Sequence, residues 1–255
     1  MAIIARGTDL HKAFADQVLL AAERIELDDQ TCVGLIGRNG AGKSTLLRCL
    51  LGQERFDSGA YWLDPDAGLG WLRQDDPFAP EEHIIGFLQR DSGQPDWRCA
   101  EAAARFGFAG NRLDEPIAGL AGGWRTRLKL VALLLSEPRM LLLDEPTNFL
   151  DIRTQILLAD FLSGWPGGAL IVSHDRDFLR RTCTRTLALE GGRLYDHQGD
   201  VDSWLRERVE QRDRLRRENQ AIAAKRKQLE TFIVQNRANP NTAPQARSKA
   251  KQLER

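Results

Sequence analysis

Residues 37–44 read Gly-Arg-Asn-Gly-Ala-Gly-Lys-Ser, which matches the G-x-x-x-x-G-K-S pattern of a phosphate-binding loop. An apolar, strand-like run at 32–36 precedes the loop, and a helix-forming run at 44–51 follows it. Glycine permits the tight curl that turns successive backbone N–H groups toward phosphate oxygens. A helix starting at this point also directs the positive end of its dipole at the same anion. The pattern therefore predicts a nucleotide-phosphate site between a strand and a helix.

Two side chains of this loop have specific predicted roles. Lys43 is expected to reach the β- and γ-phosphates, and Ser44 to place its hydroxyl on Mg²⁺. A chance glycine-rich turn is the alternative, and the full match between a strand and a helix disfavours it. The predicted ATP-binding residues of this segment are Gly37, Arg38, Asn39, Gly40, Ala41, Gly42, Lys43, Ser44 and Thr45.

The charges of the chain are balanced in number but unevenly distributed. The 255 residues include 36 Lys and Arg against 36 Asp and Glu. Residues 201–255 hold 14 basic against 7 acidic side chains, and residues 1–200 hold 22 against 29. A basic tail on an acidic body suggests contact with a polyanion, and a solvated charged helix is the alternative. The length allows one large domain or two small ones.

The cysteines and the apolar runs bear on the cellular compartment. Four cysteines without a C-x-x-C pair are typical of reduced, mostly buried thiols in a cytoplasmic protein. The N-terminus lacks the pattern of a signal peptide, and no run approaches the roughly 18 apolar residues of a membrane span. We therefore expect a soluble, cytoplasmic chain with no direct membrane insertion, for which a membrane role would need a separate partner.

Strand-like and helical runs alternate along most of the chain. Short strands are expected over residues 1–30 and 53–74, and further strands at 139–143 and 169–173. The alternation predicts an α/β fold with a parallel sheet and a ligand at the carboxyl ends of its strands. Residues from about 75 to 136 are helix-compatible and predict a small helical subdomain.

The tail has a different pattern. From residue 203 to about 235 it contains no Gly or Pro, and apolar residues recur every seven positions, which predicts a long, otherwise charged helix. Two prolines within 239–244 break this pattern, and helical composition resumes after them. We predict residues 1–200 as one domain and 201–255 as a basic helical hairpin linker that is truncated in its second helix.

Two carboxylates, Asp144 and Glu145, follow an apolar strand-like run. Asp144 is predicted to hold Mg²⁺ directly or through water, and Glu145 to polarise the attacking water as general base. An exposed acidic loop is the alternative, which the phosphate-binding loop upstream disfavours. Gln74 is a candidate contact for Mg²⁺ and water, and His174 for the γ-phosphate. Both depend on this context, because a lone Gln is usually surface-polar and a lone His is usually structural.

A second glycine-rich segment lies on the far side of the helical subdomain. It places two glycines at the predicted start of a helix, which makes a second anion site. It begins about eighty residues beyond the phosphate-binding loop. Its residues are Leu120, Ala121, Gly122, Gly123 and Trp124.

In this order, these motifs resemble the ABC ATPase family over essentially residues 1–200. The resemblance implies an ABC nucleotide-binding domain of the P-loop NTPase class, with ATP and Mg²⁺ as cofactors. It implies that residues 120–124 are the signature motif, which contacts the ATP of a partner site. Asp151 stands in the D-loop and His174 at the switch histidine. Phe14 stands where the family stacks an aromatic ring on adenine.

Further residues are similar to the ABC-F subfamily. Trp124 in place of the signature glutamine, together with the run 144–151, resembles the first ABC domain of ABC-F proteins. The runs 232–239 and 245–249 resemble their interdomain linker. ABC-F proteins act on translating ribosomes without a membrane subunit, and their linker reaches toward the tRNA in the P site. The resemblance thus implies a ribosome partner, and the candidate tRNA or rRNA contacts are Arg237, Asn239, Asn241, Arg247 and Lys249.

Three departures from the family pattern lead to expectations. Ala121 replaces the signature serine, so one hydrogen bond to the partner-site phosphate, worth about 1 kcal/mol, is lost and weakened activity is expected. Only about 45 residues separate Gln74 from Leu120, which leaves little room for an extended arm. One loop and one signature cannot close an ATP sandwich, so a second ABC domain is expected. It would lie in the same longer chain, which an end within the linker favours, or in a dimer.

Two other functions remain open at this point. An ATP-binding subunit of an ABC membrane transporter would have no obvious use for the charged tail. A non-catalytic, nucleotide-gated RNA-binding module is disfavoured by the intact Lys43, Asp144 and Glu145, although Ala121 leaves it open.

Overall fold

The computed structural model describes residues 1–14, 17–72, 76–148 and 150–236. The chain forms two compact units, the first covering Met1–Asp202 and the second beginning at Ser203. The domain boundary predicted at residue 200 stays a prediction.

The first unit is built on one nine-stranded sheet. In chain order its strands are β1 (Ile3–Phe14), β2 (Gln17–Asp28), β3 (Cys32–Gly37), β4 (Ser58–Leu63), β5 (Leu69–Trp71), β6 (Met140–Asp144), β7 (Gly168–Val172), β8 (Arg185–Glu190) and β9 (Arg193–His197). Their spatial order is β4-β1-β2-β9-β8-β3-β7-β6-β5. Strands β5, β6, β7, β3 and β8 are all parallel. Their carboxyl ends therefore meet at one edge, where a ligand is expected in such sheets.

The other part of the sheet is mainly antiparallel. Strand β1 pairs antiparallel with β2 and β4, and β8 pairs antiparallel with β9. The expectation of short strands over residues 1–30 is wrong, because β1 and β2 are each 12 residues long and pair with each other along most of their length. Strands β8 and β9 were not predicted. The Gly191-Gly192 turn that joins them, with φ of +58° and +78°, was their strongest local signal.

Helices cover the sheet and form the helical subdomain. They are α1 (Lys43–Leu50), α2 (Ile84–Ser92), α3 (Asp96–Arg105), α4 (Gly122–Leu135), α5 (Ile152–Ser163) and α6 (Arg176–Thr182). Helix α2 packs against α3 and α4, and two 3₁₀ turns at Gly110–Asp114 and Ile117–Gly119 precede α4. These three helices lie within the predicted 75–136 range. The signature glycines, predicted at the start of a helix, form the first turn of α4.

A leucine-rich core holds the parallel strands against α1. Leu35 on β3, Leu142 on β6 and Leu170 on β7 are fully buried, in one cluster with Leu46 and Leu47 of α1. Each such side chain contributes about 1.5–3 kcal/mol by leaving water. These buried side chains therefore hold the strand ends that follow them against α1.

The four cysteines are free, as predicted for reduced thiols. Cys49, Cys99 and Cys183 are buried and Cys32 is half-buried. Burial raises the pKa of the Cys49 thiol, which keeps it protonated at neutral pH.

Helix α7 (Val201–Asn236) continues into the second unit. At 36 residues it confirms the predicted long helix and measures about 54 Å. Its exposed surface carries ion pairs at i,i+4 spacing, Arg214 with Glu218 and Arg226 with Glu230. Leu215 and Ile222 of the predicted apolar stripe are exposed. The predicted return helix of the hairpin lies outside the described residues.

Candidate functional site

A cavity of about 500 Å³ lies at the carboxyl edge of the parallel strands. Five segments contribute to it: the loop after β3, the first turn of α1, the end of β6 with the residues after it, the end of β7 with the residues after it, and one residue of β2. Its lining residues are Leu19, Asn39, Gly40, Gly42, Lys43, Ser44, Thr45, Asp144, Glu145, Asn148, Val172 and His174. The cavity therefore brings the phosphate-binding loop together with both predicted carboxylates and the predicted histidine.

Backbone geometry determines the shape of the loop. Gly42 caps α1 with φ +102° in the left-handed region, which an L side chain rarely adopts. A Cβ atom there would also lie 3.2 Å from Cβ of Leu19 on β2. The Lys43 side chain is 8% exposed, and its ammonium donates to the carbonyls of Gly37 at 3.0 Å and Arg38 at 3.2 Å. The loop thus holds a buried cation at its centre.

Glu145 has an unusual backbone conformation at the end of β6. Its φ of +48° is left-handed in a residue that is not glycine, a conformation that costs about 1–3 kcal/mol and clusters at functional sites. Its N–H donates to the Val172 carbonyl at 2.9 Å, which ties it to β7. Its carboxylate Oε2 accepts from the backbone N–H of His174 at 3.3 Å. The neighbouring strand therefore determines where the carboxylate points.

The second carboxylate oxygen of Glu145 has no hydrogen-bond donor among the described residues. Oε1 is buried and lies 3.3 Å from Nε2 of His174, but this contact lacks hydrogen-bond geometry. No other described residue donates to it. A buried acceptor without a donor is costly, and it is suited to accept a proton or a water hydrogen inside the cavity.

Asp144 and Ser44 supply oxygen ligands to the same cavity. Asp144 is the last residue of β6 and pairs in register with Val172 on β7. Ser44 is in the first turn of α1, and both side chains are half-buried. Carboxylate and hydroxyl oxygens are the ligands that Mg²⁺ prefers.

Other predicted residues of the loop do not line the cavity. Gly37 ends β3 so close to β8 that a Cβ would lie 2.6 Å from the Leu189 carbonyl oxygen. Arg38 contributes its carbonyl to Lys43, and Ala41 packs against the core. Phe14, at the end of β1, is 77% exposed and is not among the lining residues. Its predicted contact with adenine stays a prediction.

Sequence analysis missed three lining residues: Leu19, Asn148 and Val172. Asn148 lies within the run 144–151 and Val172 within the predicted strand 169–173, so their positions could have been inferred from the strand ends. Leu19 lies on β2, next to Gly42 of the phosphate-binding loop, and no local motif marks it.

The predicted signature segment lies at the start of α4 and contributes no residue to this cavity. Leu120 is buried, and Ala121 is the N-cap residue without a side-chain cap. Two hydrogen bonds from Arg125 hold the segment in place. Its Nε donates to the Leu120 carbonyl and its Nη2 to the Ala118 carbonyl, both at 3.0 Å. Gly122 and Ala121 are exposed.

Trp124 packs within a cluster of aromatic and cationic side chains. Its indole makes an edge-on contact with Phe108, with ring centroids 5.0 Å apart. The guanidinium carbons of Arg112 and Arg127 lie 4.0 Å and 4.1 Å from the ring centroid. Each such cation–π contact contributes about 0.5–1 kcal/mol at a partly exposed site.

Asp151, the predicted D-loop residue, is the N-cap of α5. Its Oδ1 accepts from the backbone N–H of Thr154 at 3.0 Å, and its Oδ2 from Arg127 Nη2 at 2.5 Å. The Thr154 N–H, the Thr154 hydroxyl and then the Arg127 charge hold the pKa of the Asp151 carboxyl below its usual value. Burial lowers the pKa of Arg127 itself.

Several predicted site residues lie outside the described residues. They are Gln74, Arg237, Asn239, Asn241, Arg247 and Lys249. Their predicted roles in Mg²⁺ and RNA contact stay predictions.

Within the part of the chain that the structure describes, no helix has the length and apolar character that a membrane span requires.

Two family models, both described as ABC transporter, match residues 22–148 and 187–255. ATP-binding cassette sub-family F member 3 of Mus musculus is 32% identical over 278 residues, covering 95% of this chain and 39% of that protein. Ribosome protection protein VmlR of Bacillus subtilis is 35% identical over 215 residues, covering 84% of this chain and 39% of that protein. This chain thus spans about two fifths of the length of these relatives.

Solved structures give the same fold. A structure described as the ATP binding subunit of an ABC transporter superposes with a TM-score of 0.68 at 22% identity, covering 80% of this chain and 92% of that one. At this identity the likeness concerns the fold alone.

Proposed function

We propose, from the premise that this chain belongs to the ABC ATPases and within them to the ABC-F subfamily, that it binds and hydrolyses ATP to control an interaction with the ribosome. In this proposal residues 1–200 act as the nucleotide-binding domain and residues 201–255 as the linker. The supporting observation is the cavity that gathers the phosphate-binding loop, Asp144, Glu145 and His174.

The residues at this cavity fit a magnesium–nucleotide complex. The loop supplies a buried ammonium and a left-handed glycine at the start of a helix, which suits phosphate. Ser44 and Asp144 supply hard oxygen ligands for Mg²⁺. The buried Glu145 Oε1 lacks a donor, as expected of an acceptor that serves a water molecule.

In the proposed mechanism Lys43 binds the β- and γ-phosphates, and Ser44 with Asp144 holds the metal. Mg²⁺, when bound, neutralises the charge that develops on the transferred phosphoryl group. Glu145 orients the attacking water and accepts its proton. The hydrogen bond from its backbone N–H to the Val172 carbonyl holds Glu145 in position for this role. His174 hydrogen-bonds the γ-phosphate, and Gln74 is the further proposed contact to metal and water.

A second ABC domain is the proposed first partner. Residues 120–124 do not line the chain's own cavity. They would instead contact the ATP in the cavity of another ABC domain, present in the same longer chain or in a dimer. Phe14 would stack on adenine, and Asp151 would stand at the contact between the two domains.

The ribosome is the proposed second partner, which also places the protein in the cytoplasm. One relative is named a ribosome protection protein, and it matches 84% of this chain. The exposed, charged surface of α7 suits an approach to RNA phosphates. In the linker, Arg237, Asn239, Asn241, Arg247 and Lys249 are the proposed contacts to tRNA or rRNA.

Ribosome co-sedimentation of the Glu145→Gln variant with ATP tests this proposal. We expect binding with ATP and none with ADP, because a variant that binds ATP without hydrolysing it stays in the ATP-bound form. Glu137→Gln is a matched control, since Glu137 is also a left-handed glutamate but lies away from the cavity. Reversing the charges at Arg237, Arg247 and Lys249 should abolish binding.

One outcome would contradict the ribosome proposal: normal ATP affinity without ribosome binding in any nucleotide state. Recovery of the same variant with membranes would then favour the alternative, an ATP-binding subunit of a membrane transporter.

A further inference from the structure

Arg127 lies where the ends of three helices meet. Its Nη1 donates to the Phe106 carbonyl, at the C-cap of α3, at 3.1 Å. Its Nη2 donates to Asp151 at the N-cap of α5, and also to the Thr154 hydroxyl. Its own position is in the second turn of α4, three residues after Trp124. One guanidinium thus joins α3, α4 and α5.

This guanidinium is enclosed at a cost. The Arg127 side chain is 12% exposed, and its Nε is buried with no acceptor among the described residues. A buried charge with an incomplete set of hydrogen bonds is weak support for stability and is retained more often for a specific geometry. A solvated arginine on the same helix would avoid this cost.

The contacts around Arg127 leave it little freedom. Its guanidinium lies 4.1 Å from the Trp124 ring centroid. Gly107 has φ +86°, and a Cβ there would lie 3.2 Å from Arg127 Nη1 and 3.4 Å from Cη2 of Trp124. The turn after α3 therefore packs directly on both side chains.

On its other side, Arg127 reaches a segment that begins at the cavity. Glu145 and Asn148 line the cavity, and the Asn148 N–H donates to the Glu145 carbonyl at 3.1 Å. Gln155 on α5 donates to the carbonyls of Thr147 and Leu150 at 3.2 Å and 3.1 Å. Residues 145–148 and α5 are thus bonded into one stretch of chain, and Asp151 lies within it.

We propose that Arg127 is a positioning residue that couples the segment 120–124 to the cavity segment 145–151, so that the signature loop and the hydrolytic carboxylate keep one relative position. The proposal rests on the proposed ATPase function. It deepens that function by naming the side chain through which a domain's own cavity and its partner-facing loop communicate.

Turnover and nucleotide affinity should respond differently to a change at Arg127. In Arg127→Ala we expect kcat to fall about tenfold or more, because misalignment of this kind affects the chemical step. The affinity for a fluorescent ATP analogue should stay within about twofold, since the phosphate-binding loop is untouched. Arg105→Ala is the matched control: Arg105 is exposed, belongs to the same subdomain and, among the described residues, forms its ion pair with Glu101 at i,i+4 spacing.

A double-mutant cycle tests the coupling itself. If Arg127 acts through Asp151, the Arg127→Ala/Asp151→Asn double variant should be no slower than the slower single variant, because two changes in one linkage are not additive. Fold-reductions that simply multiply would overturn the proposal. Arg127→Lys keeps the charge but has one nitrogen, so full turnover in that variant would also overturn it.

Amide hydrogen exchange tests the coupling in the 255-residue chain without reference to turnover. In Arg127→Ala and in Arg127→Lys, amides 152–155 should exchange faster while those of α1 keep wild-type rates; unchanged exchange at 152–155 overturns the coupling. If the alanine variant does not fold, the turnover and hydrogen-exchange measurements are made on the lysine variant alone. A wild-type chain that shows no ATPase activity, alone or with a second ABC domain added, would contradict the proposed function and leave the exchange result standing.

Discussion

The carboxyl edge of the sheet and the start of α4 both place glycines at the start of a helix, but different contacts hold them. At the sheet edge, backbone carbonyls accept the hydrogen bonds that hold the site: two carbonyls hold Lys43, and the Val172 carbonyl holds Glu145. At α4, side chains hold the backbone, with Arg125 on the Leu120 and Ala118 carbonyls and Arg127 on the Phe106 carbonyl.

This difference has a physical consequence. Backbone contacts restrict which residue types can stand at a position, through left-handed dihedrals and close approach. Side-chain contacts can be removed one at a time without changing the backbone that they support. We therefore expect changes at the sheet edge to act mainly on chemistry, and changes around α4 to act mainly on stability and alignment.

The largest expected effect is at Glu145. Glu145→Gln should lower kcat by about 10²- to 10⁴-fold, the usual contribution of a general base, with ATP affinity nearly unchanged. Steady-state and single-turnover ATPase assays measure this. Glu137→Gln, at another left-handed glutamate, should retain wild-type turnover. If both variants lose activity alike, the loss reflects backbone strain and not the carboxylate.

The second effect is structural and concerns Trp124. Trp124→Ala removes an edge-on aromatic contact and two cation–π contacts, so we expect a loss of about 2–3 kcal/mol in the free energy of unfolding. Urea denaturation gives this value. Trp97→Ala is the control, because the Trp97 side chain is 68% exposed and should contribute less than about 0.5 kcal/mol. Equal losses in the two variants would mean that the contacts of Trp124 with Phe108, Arg112 and Arg127 do not contribute to stability.

The same contrast explains what the sequence could predict. The phosphate-binding loop, β3, Asp144 and Glu145 were predictable because a required backbone shape leaves few residue choices, as at Gly42 with φ +102°. Leu19 was not, since it belongs to β2 and comes next to Gly42 only in the folded sheet. Arg127 was not, because an arginine on a helix is ordinarily solvated. Strands β8 and β9 were not predicted because they carry no chemical motif, although the Gly191-Gly192 pair between them is a turn signal.

A smaller effect is expected at Ala121, where the helix lacks a side-chain cap. Ala121→Ser should raise the free energy of unfolding by about 1 kcal/mol, because serine at the N-cap accepts a hydrogen bond from the first turn. Ala121→Val is the control, since it adds bulk without an acceptor and should bring no gain. Thermal and urea denaturation of the three proteins compare them. A gain with valine as well would show that packing, and not capping, limits this position.

The smallest expected effect is the pH dependence contributed by Asp151. Its folded-state pKa lies below the unfolded value of about 3.9, first because of the Thr154 N–H and also because of Arg127. A lowered carboxyl pKa stabilises the fold above the unfolded pKa, and this contribution is lost as the pH falls through the folded value. Asp151→Asn keeps an N-cap acceptor but loses the charge, so it should be less stable than wild type at pH 7. The loss should be less than about 1 kcal/mol, because the Asp151 side chain is itself 60% exposed. The two proteins should converge as the pH falls below about 4. In an Arg127→Ala background the same substitution should show a weaker pH dependence. An undiminished pH dependence there would mean that the helix N-terminus alone holds the carboxylate, and that the bond to Arg127 does not contribute to its charge state.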